Sequence, residues 1–338
     1  MGKQPTERDA FWDSLKFQLI FIVVYGHMIE TCVDDNPFNQ AMYNFIYLFH
    51  MPLFVFISGH FSHIKDKRKY LIGMIYILET YFVFQFARCI RLIFNGGSFS
   101  LFPDIFIPKG ILWYLACIVL WRMIIFVANE SWLTRNKWMV LLSFIGMGLG
   151  VGFIKIPDGT SIRFFTLGFF FFLGYYLEDS TIKTAFTKVK TWIAFISILF
   201  LFVFVYFMIN KDIRSVIYFG SYYDNIPAPP ILYFMARIFL YSFATLIGFL
   251  FMRLIFCKPV FAKYGKYTLS IFMYHIFIVT ALRPLFSNNI FPCHEILLFC
   301  YAIILCTSLT WLTQHFKLMT IMLNPITYII SKYKFYKK

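Results

Sequence analysis

Two histidines stand inside very apolar stretches, where an ionisable side chain needs a partner or a task. His27 ends the run Phe17-Gln18-Leu19-Ile20-Phe21-Ile22-Val23-Val24-Tyr25-Gly26, and His50 lies in Tyr43-Asn44-Phe45-Ile46-Tyr47-Leu48-Phe49-His50-Met51-Pro52-Leu53-Phe54-Val55-Phe56-Ile57-Ser58-Gly59. Imidazole titrates near neutrality, so either ring could take a proton from a hydroxyl or carry a group itself. The alternative is a packing histidine satisfied by its neighbours. Two such residues in successive segments, with other polar groups at similar depth, favour chemistry. Those groups are Arg88 and Arg91, three apart and on one helical face, with Arg237, Arg283, Glu79 and His275.

These side chains must be held by membrane helices. Hydrophobic residues make up 60% of the 338-residue chain, aromatics 22% and charged residues only 14%. Soluble domains carry about a quarter charged residues. Spanning runs of about 20 apolar residues recur near 11–31, 43–62, 70–94, 110–127, 138–156, 163–177, 191–209, 231–256, 268–286 and 296–316. The expectation is therefore one all-α integral membrane domain over 1–338, a bundle of about ten transmembrane helices. The first run is too long for a cleavable signal peptide and is expected to remain as a helix.

The formal charge of +15 reflects how the basic residues are distributed. With ten spans, one side holds Lys3, Arg8 and Lys16; Lys65, Lys67, Arg68 and Lys69; Arg135 and Lys137; Lys183, Lys188 and Lys190; Lys258, Lys263 and Lys266; and Lys317, Lys332, Lys334, Lys337 and Lys338. The other side holds little beyond Lys109, Arg163, Lys211 and Arg214. This positive-inside alternation predicts cytoplasmic termini, with Asn36 and Asn225 outside and Lys67 and Lys188 inside. Attraction to anionic membrane lipids follows from the same charge, and no nucleic-acid partner is expected, because aromatic-basic interleaving is missing. The seven cysteines show neither CxxC nor Cys/His spacing, so no disulfide framework and no metal site is expected; they read as small buried hydrophobes. Gly146, Gly148, Gly150 and Gly152 read as small residues for close helix packing.

Topology gives each polar group a depth. His27 falls about 24 Å along the first helix and near its outer end, and His50 about 10 Å below the outer surface. Lys16 and His27 are eleven residues apart, which about three turns bring to one face, while Asp13 can pair with Lys16. An ordinary charged helix start accounts for Asp13 and Lys16 equally. Arg88, Arg91, Arg237 and Arg283 read either as one electropositive outer site or as interface anchors. Glu79, in the middle of the third span, requires an arginine partner or a proton. Trp113, Tyr114, Tyr175 and Tyr176 fit an aromatic belt or a sugar platform. Ser58-Gly59 reads as a small pair for helix approach.

Several segments resemble the acyltransferase 3 family of membrane acyltransferases. Its opening signature resembles Arg8-Asp9-Ala10-Phe11-Trp12-Asp13-Ser14-Leu15-Lys16, with ten residues intervening before His27. Phe49-His50-Met51-Pro52-Leu53-Phe54-Val55-Phe56-Ile57-Ser58-Gly59 is similar to its second signature in the fucose and capsule O-acetyltransferase branch. Fainter likenesses are Leu112-Trp113-Tyr114-Leu115, Phe172-Leu173-Gly174-Tyr175-Tyr176-Leu177 and Tyr267-Thr268-Leu269-Ser270-Ile271-Phe272-Met273-Tyr274-His275. The resemblance implies transfer of acetyl from cytoplasmic acetyl-CoA, a co-substrate rather than a bound cofactor, to a hydroxyl of an extracytoplasmic or lipid-linked glycan in the cell membrane. His27 is then the general base or transient acyl acceptor, and His50 a second proton carrier or orienting partner. Arg88 and Arg91 would face an oxyanion or an acidic sugar. The donor would suit the inner residues Asp13, Lys16, Arg68 and Lys69, and His275 would line the path. Whether pantetheine threads inward or an acyl-enzyme crosses stays open, as does association with another copy or with glycan-synthesis proteins. A polytopic transporter or flippase of a glycan or lipid precursor is the alternative.

Overall fold

The computed structural model describes residues 9–156, 159–209, 214–221, 223, 229–288 and 290–335. The expectations for Lys3, Arg8, Lys211, Asn225, Lys337 and Lys338 lie outside them, as does the side chain of Lys334. Every regular element among the described residues is helical: α1 Ala10–Ile29, α2 Pro37–His60, α3 Lys67–Phe94, α4 Leu101–Phe106, α5 Trp113–Ala128, α6 Glu130–Arg135, α7 Lys137–Gly150 and α8 Gly159–Tyr176. There follow α9 Asp179–Thr187, α10 Thr191–Met208, α11 Arg214–Ile217, α12 Pro230–Cys257, α13 Thr268–Ser287, α14 Glu295–His315, α15 Lys317–Leu323 and α16 Pro325–Phe335. Helices occupy all ten segments picked out by the apolar runs. Among the described residues eight are long and apolar enough to cross a membrane, or nine if α8 and α9, bent by 91°, form one span. The segment Lys137–Phe153 is apolar but shorter. Exposed Phe195, Phe200 and Phe207 on α10 are what a lipid-facing helix presents. The chain is an all-α, multi-pass membrane protein.

Two compact units share the chain, and α2 and α12 are each divided between them. The first comprises 1–54, 179–217 and 239–314. Here α1 starts at Asp9, whose carboxylate accepts from the Phe11 N–H at 2.9 Å as an N-cap. Leu15, Leu19, Ile20, Val23 and Val24 recur at helical spacing and are buried. At its base α1 meets the 3₁₀ helix Ala262–Tyr267 backbone to backbone, because a Cβ on Gly265 would overlap the Asp13 carbonyl oxygen. Ser14 donates to the Val260 carbonyl at 2.5 Å beside it. The helix carrying His27 is thus fixed at its far end.

The second unit comprises 55–178, 218–238 and 315–338. Its α2 and α8 segments cross at two glycines, as the Ser58-Gly59 reading requires. A Cβ on Gly59 would overlap the Phe171 carbonyl, and one on Gly174 the Phe56 carbonyl. Gly59→Ala and Gly174→Ala should each destabilise the protein by about 1–3 kcal/mol, as overpacking typically does, and so lower its melting temperature in detergent. Gly146→Ala and Gly150→Ala should melt like the parent, since nothing lies within 4 Å of a Cβ there. Equal melts for both pairs would remove the crossing argument. The glycine-packing expectation accordingly fails at Gly146 and Gly150. Among the described residues Glu79 has no arginine partner: its carboxyl accepts from the Ile326 and Thr327 N–H groups and the Thr327 hydroxyl. Orphan donors at the start of α16 supply what an arginine would have.

Candidate active site

His27 is positioned by the last turns of α1 and by the turn that follows. The chain tightens into a 3₁₀ turn at Glu30–Cys32, which brings Glu30, three residues on, back beside the ring. His27 Nδ1 lies 3.0 Å from Glu30 Oε2. The same carboxylate oxygen takes Arg283 Nη2 from α13 at 2.9 Å. Paired with a guanidinium, Glu30 is held as an acceptor, so the His27 Nδ1–H donates to it, the tautomer that in a neutral ring puts the lone pair on Nε2. Tyr47 Oη on α2 lies 3.0 Å from the same Nδ1, and its ring stacks on Tyr43 at 4.0 Å. About 14% of the His27 side chain stays exposed, which leaves it reachable.

Two further imidazoles surround this group. His275 lies with its ring centroid 5.3 Å from that of His27, and His50 lies 4.8 Å from the Tyr47 ring. Each directs Nδ1 at the carbonyl one turn back, Ile46 at 2.7 Å for His50 and Ile271 at 2.9 Å for His275. A carbonyl only accepts, so both rings carry hydrogen on Nδ1 and a lone pair on Nε2. His275 is wholly buried, and among the described residues its Nε2 has no partner. Leaving a buried polar atom unpaired costs about 1–3 kcal/mol, a cost retained at sites that receive a ligand. His50 makes no hydrogen bond to His27 among the described residues. The carboxylate that His27 contacts is Glu30.

The remaining residues expected in the site divide. Lys16 pairs with Asp13 at 2.8 Å, at the opposite end of α1 from His27. Arg68 and Lys69 are exposed at the start of α3. Arg88 Nη2 donates to the Asp104 carbonyl at 3.0 Å and lies 3.4 Å from its carboxylate. The Ser100 N–H, and then Arg88, hold the Asp104 carboxyl below the usual carboxylate range, so this charge is already balanced. Arg91 is exposed one turn on. Arg237 is buried and donates to the Gly148 and Ser221 carbonyls at 3.0 and 2.6 Å. Arg88 and Arg237 thus each have local partners of their own, and Arg283 pairs with the Glu30 carboxylate that also holds His27. Glu30 and Tyr47 were not singled out from sequence. Each stands three residues from a histidine that was, at same-face spacing.

The cysteine expectation is corrected. Cys32 and Cys293 form a disulfide with Cα atoms 5.9 Å apart across 261 residues. Asn39 Nδ2 donates to both of their carbonyls at 3.5 and 3.4 Å. Local spacing cannot reveal a pair so distant in sequence. Cys257 and Cys300 are exposed as well, whereas Cys89, Cys117 and Cys306 are the buried hydrophobes expected. The bridge ties the turn bearing Glu30 to the segment leading into α14.

The nodulation protein NolL of Sinorhizobium fredii is 40% identical over 58 residues, which is 16% of this chain and 16% of that protein. The match therefore spans only a small part of either chain. No solved structure matches. The family profile described as an acyltransferase domain matches residues 9–314, from the cap of α1 through nearly all of α14. The chain belongs to the acyltransferase 3 family.

Proposed function

We propose that this protein is an O-acetyltransferase that moves acetyl from cytoplasmic acetyl-CoA to a hydroxyl of an extracytoplasmic or lipid-linked glycan. The observation that carries the reading is the His27–Glu30 pair at 3.0 Å, because it leaves a basic Nε2 on a reachable ring. In the step envisaged, Nε2 takes the hydroxyl proton as the oxygen attacks the thioester carbonyl. The C–S bond then breaks, acetyl remains on the oxygen, and the proton passes to the departing thiolate to give CoA. Glu30, paired with Arg283, stabilises the imidazolium formed on the way. Alternatively Nε2 attacks the thioester carbonyl and the C–S bond breaks to release CoA thiolate; the hydroxyl oxygen then attacks the acetyl-imidazole, the C–N bond breaks to free Nε2, and the hydroxyl proton passes to the thiolate. Either way one nitrogen does the work.

The proposal puts the His27 end of α1 outside. The basic loop bias supports this, and so does the Cys32–Cys293 bridge, since disulfides persist in oxidising compartments. In intact cells a cysteine at Asn36 should react with an impermeant maleimide, and one at Lys67 or Lys188 should not. Native Cys32 and Cys293 should become reactive from outside only after reduction. The reverse pattern would exclude an outward-facing site.

The enzymatic test is acetyl incorporation into cell-surface glycan, normalised to membrane protein level. Loss of incorporation when acetyl-CoA is depleted is expected. Incorporation unaffected by depletion would reject acetyl-CoA as donor.

A further inference from the structure

Arg122 stands inside α5, six residues before its end at Ala128, where a guanidinium is costly without compensation. Its Nε donates to Ser62 Oγ at 3.2 Å, and its Cζ lies 5.0 Å over the Tyr70 ring. Tyr70 in turn donates its hydroxyl to the Arg122 carbonyl at 3.1 Å, and Ser62 donates to the Ser58 carbonyl at 2.6 Å. The ring and the hydroxyl therefore fix the orientation of the guanidinium without neutralising it. Among the described residues no carboxylate pairs with Arg122, and neither Nη makes a hydrogen bond. The nearby acid Glu130 is engaged by His63, at 3.6 Å. A Cβ on Gly73 would lie 3.5 Å from Nη1, so the glycine keeps this edge of the guanidinium uncrowded.

A second observation gives the charge of the missing partner. Ser62 and Tyr70, which hold Arg122, bracket Lys65, Lys67, Arg68 and Lys69, all exposed. The one acid in that run, Asp66, accepts from the Lys69 N–H as the cap of α3. A fixed planar fork beside four exposed cations suits an anion with more than one negative charge and tetrahedral oxygens.

We infer that Arg122 is the anchoring residue of a phosphate-ester site at the Lys67 end of α3, with Arg68 and Lys69 at its edge. Two sources carry that chemistry, a nucleotide-bearing acyl donor and a phospholipid headgroup. The number of neighbouring cations favours the more highly charged nucleotide, and that choice of source rests on the acetyl-CoA reading above. The phosphate site itself does not.

The test uses the full chain in nanodiscs of phosphatidylcholine, with and without phosphatidylglycerol. CoA and pantetheine are titrated, and retained phosphatidylglycerol is counted by native mass spectrometry. Arg122→Gln should weaken CoA binding by about tenfold or more, the loss expected for a charge-assisted pair, in both nanodiscs. Pantetheine binding should be unchanged by the substitution, as should CoA binding in the control Arg135→Gln. If the parent protein binds no CoA and Arg122→Gln loses retained phosphatidylglycerol, the phosphate site stands with a lipid in it and the acetyl-CoA reading fails separately. Undiminished retention of both ligands by Arg122→Gln, or failure of the parent to bind either, overturns the proposal. Should Arg122→Gln not accumulate, Arg122→Lys decides. It keeps the charge but not the fork, so a several-fold loss is expected, and full affinity for both ligands overturns the site.

Discussion

Replacing His27 by alanine should reduce acyl transfer by at least about 10²–10⁴-fold, the usual worth of a positioned acid–base group, and by more if an acyl-imidazole forms. The protein should still accumulate in the membrane. His27 occupies the end of a helix whose buried face is built by Leu15, Leu19, Ile20, Val23 and Val24, and whose base is fixed at Gly265. Little of that framework depends on the imidazole. A packing histidine would behave otherwise, with abundance and activity falling together. His27→Gln separates shape from proton chemistry, since glutamine hydrogen-bonds but cannot titrate. Parent-level incorporation by His27→Gln, per unit of membrane protein, would remove the catalytic assignment.

The helical framework was legible because its signal is local. A run of about 20 apolar residues has few structures open to it in hydrocarbon, where every backbone group must bond internally. The short seventh helix and the bend after α8 were less legible, since packing within a unit decides them. The site divides along the same line. His27, His50 and His275 announce themselves by polarity in apolar surroundings, and the Asp13–Lys16 pair by its spacing. Long-range pairings carried no such sign. Cys32 meets Cys293, Arg283 meets Glu30 and Glu79 meets the start of α16, each through the fold alone. Glu30 falls between the two cases. It stands three residues after His27 in the sequence, but the spacing acquires meaning only once the chain tightens into a 3₁₀ turn there.

Glu30 is accordingly the most informative second substitution. Glu30→Gln should lower kcat by roughly 10²-fold or more, because Nδ1 then loses the carboxylate that fixes its tautomer and steadies the imidazolium, as in the His–Asp pair of hydrolases. KM for the acyl donor should change little, since Glu30 acts on the base and not on the donor. Glu30→Asp, which keeps the charge but shortens the reach, should recover part of the rate. A carboxylate needed only to balance Arg283 at 2.9 Å would give a different pattern: Arg283→Gln would then restore the activity of Glu30→Gln by removing the uncompensated charge. The decisive comparison is the double variant. If Glu30 works through His27, adding Glu30→Gln to His27→Gln should cost almost nothing further, since groups acting as one unit are far from additive. Full additivity of the two losses would show that Glu30 and His27 act independently, and would dissolve the pair on which the mechanism depends.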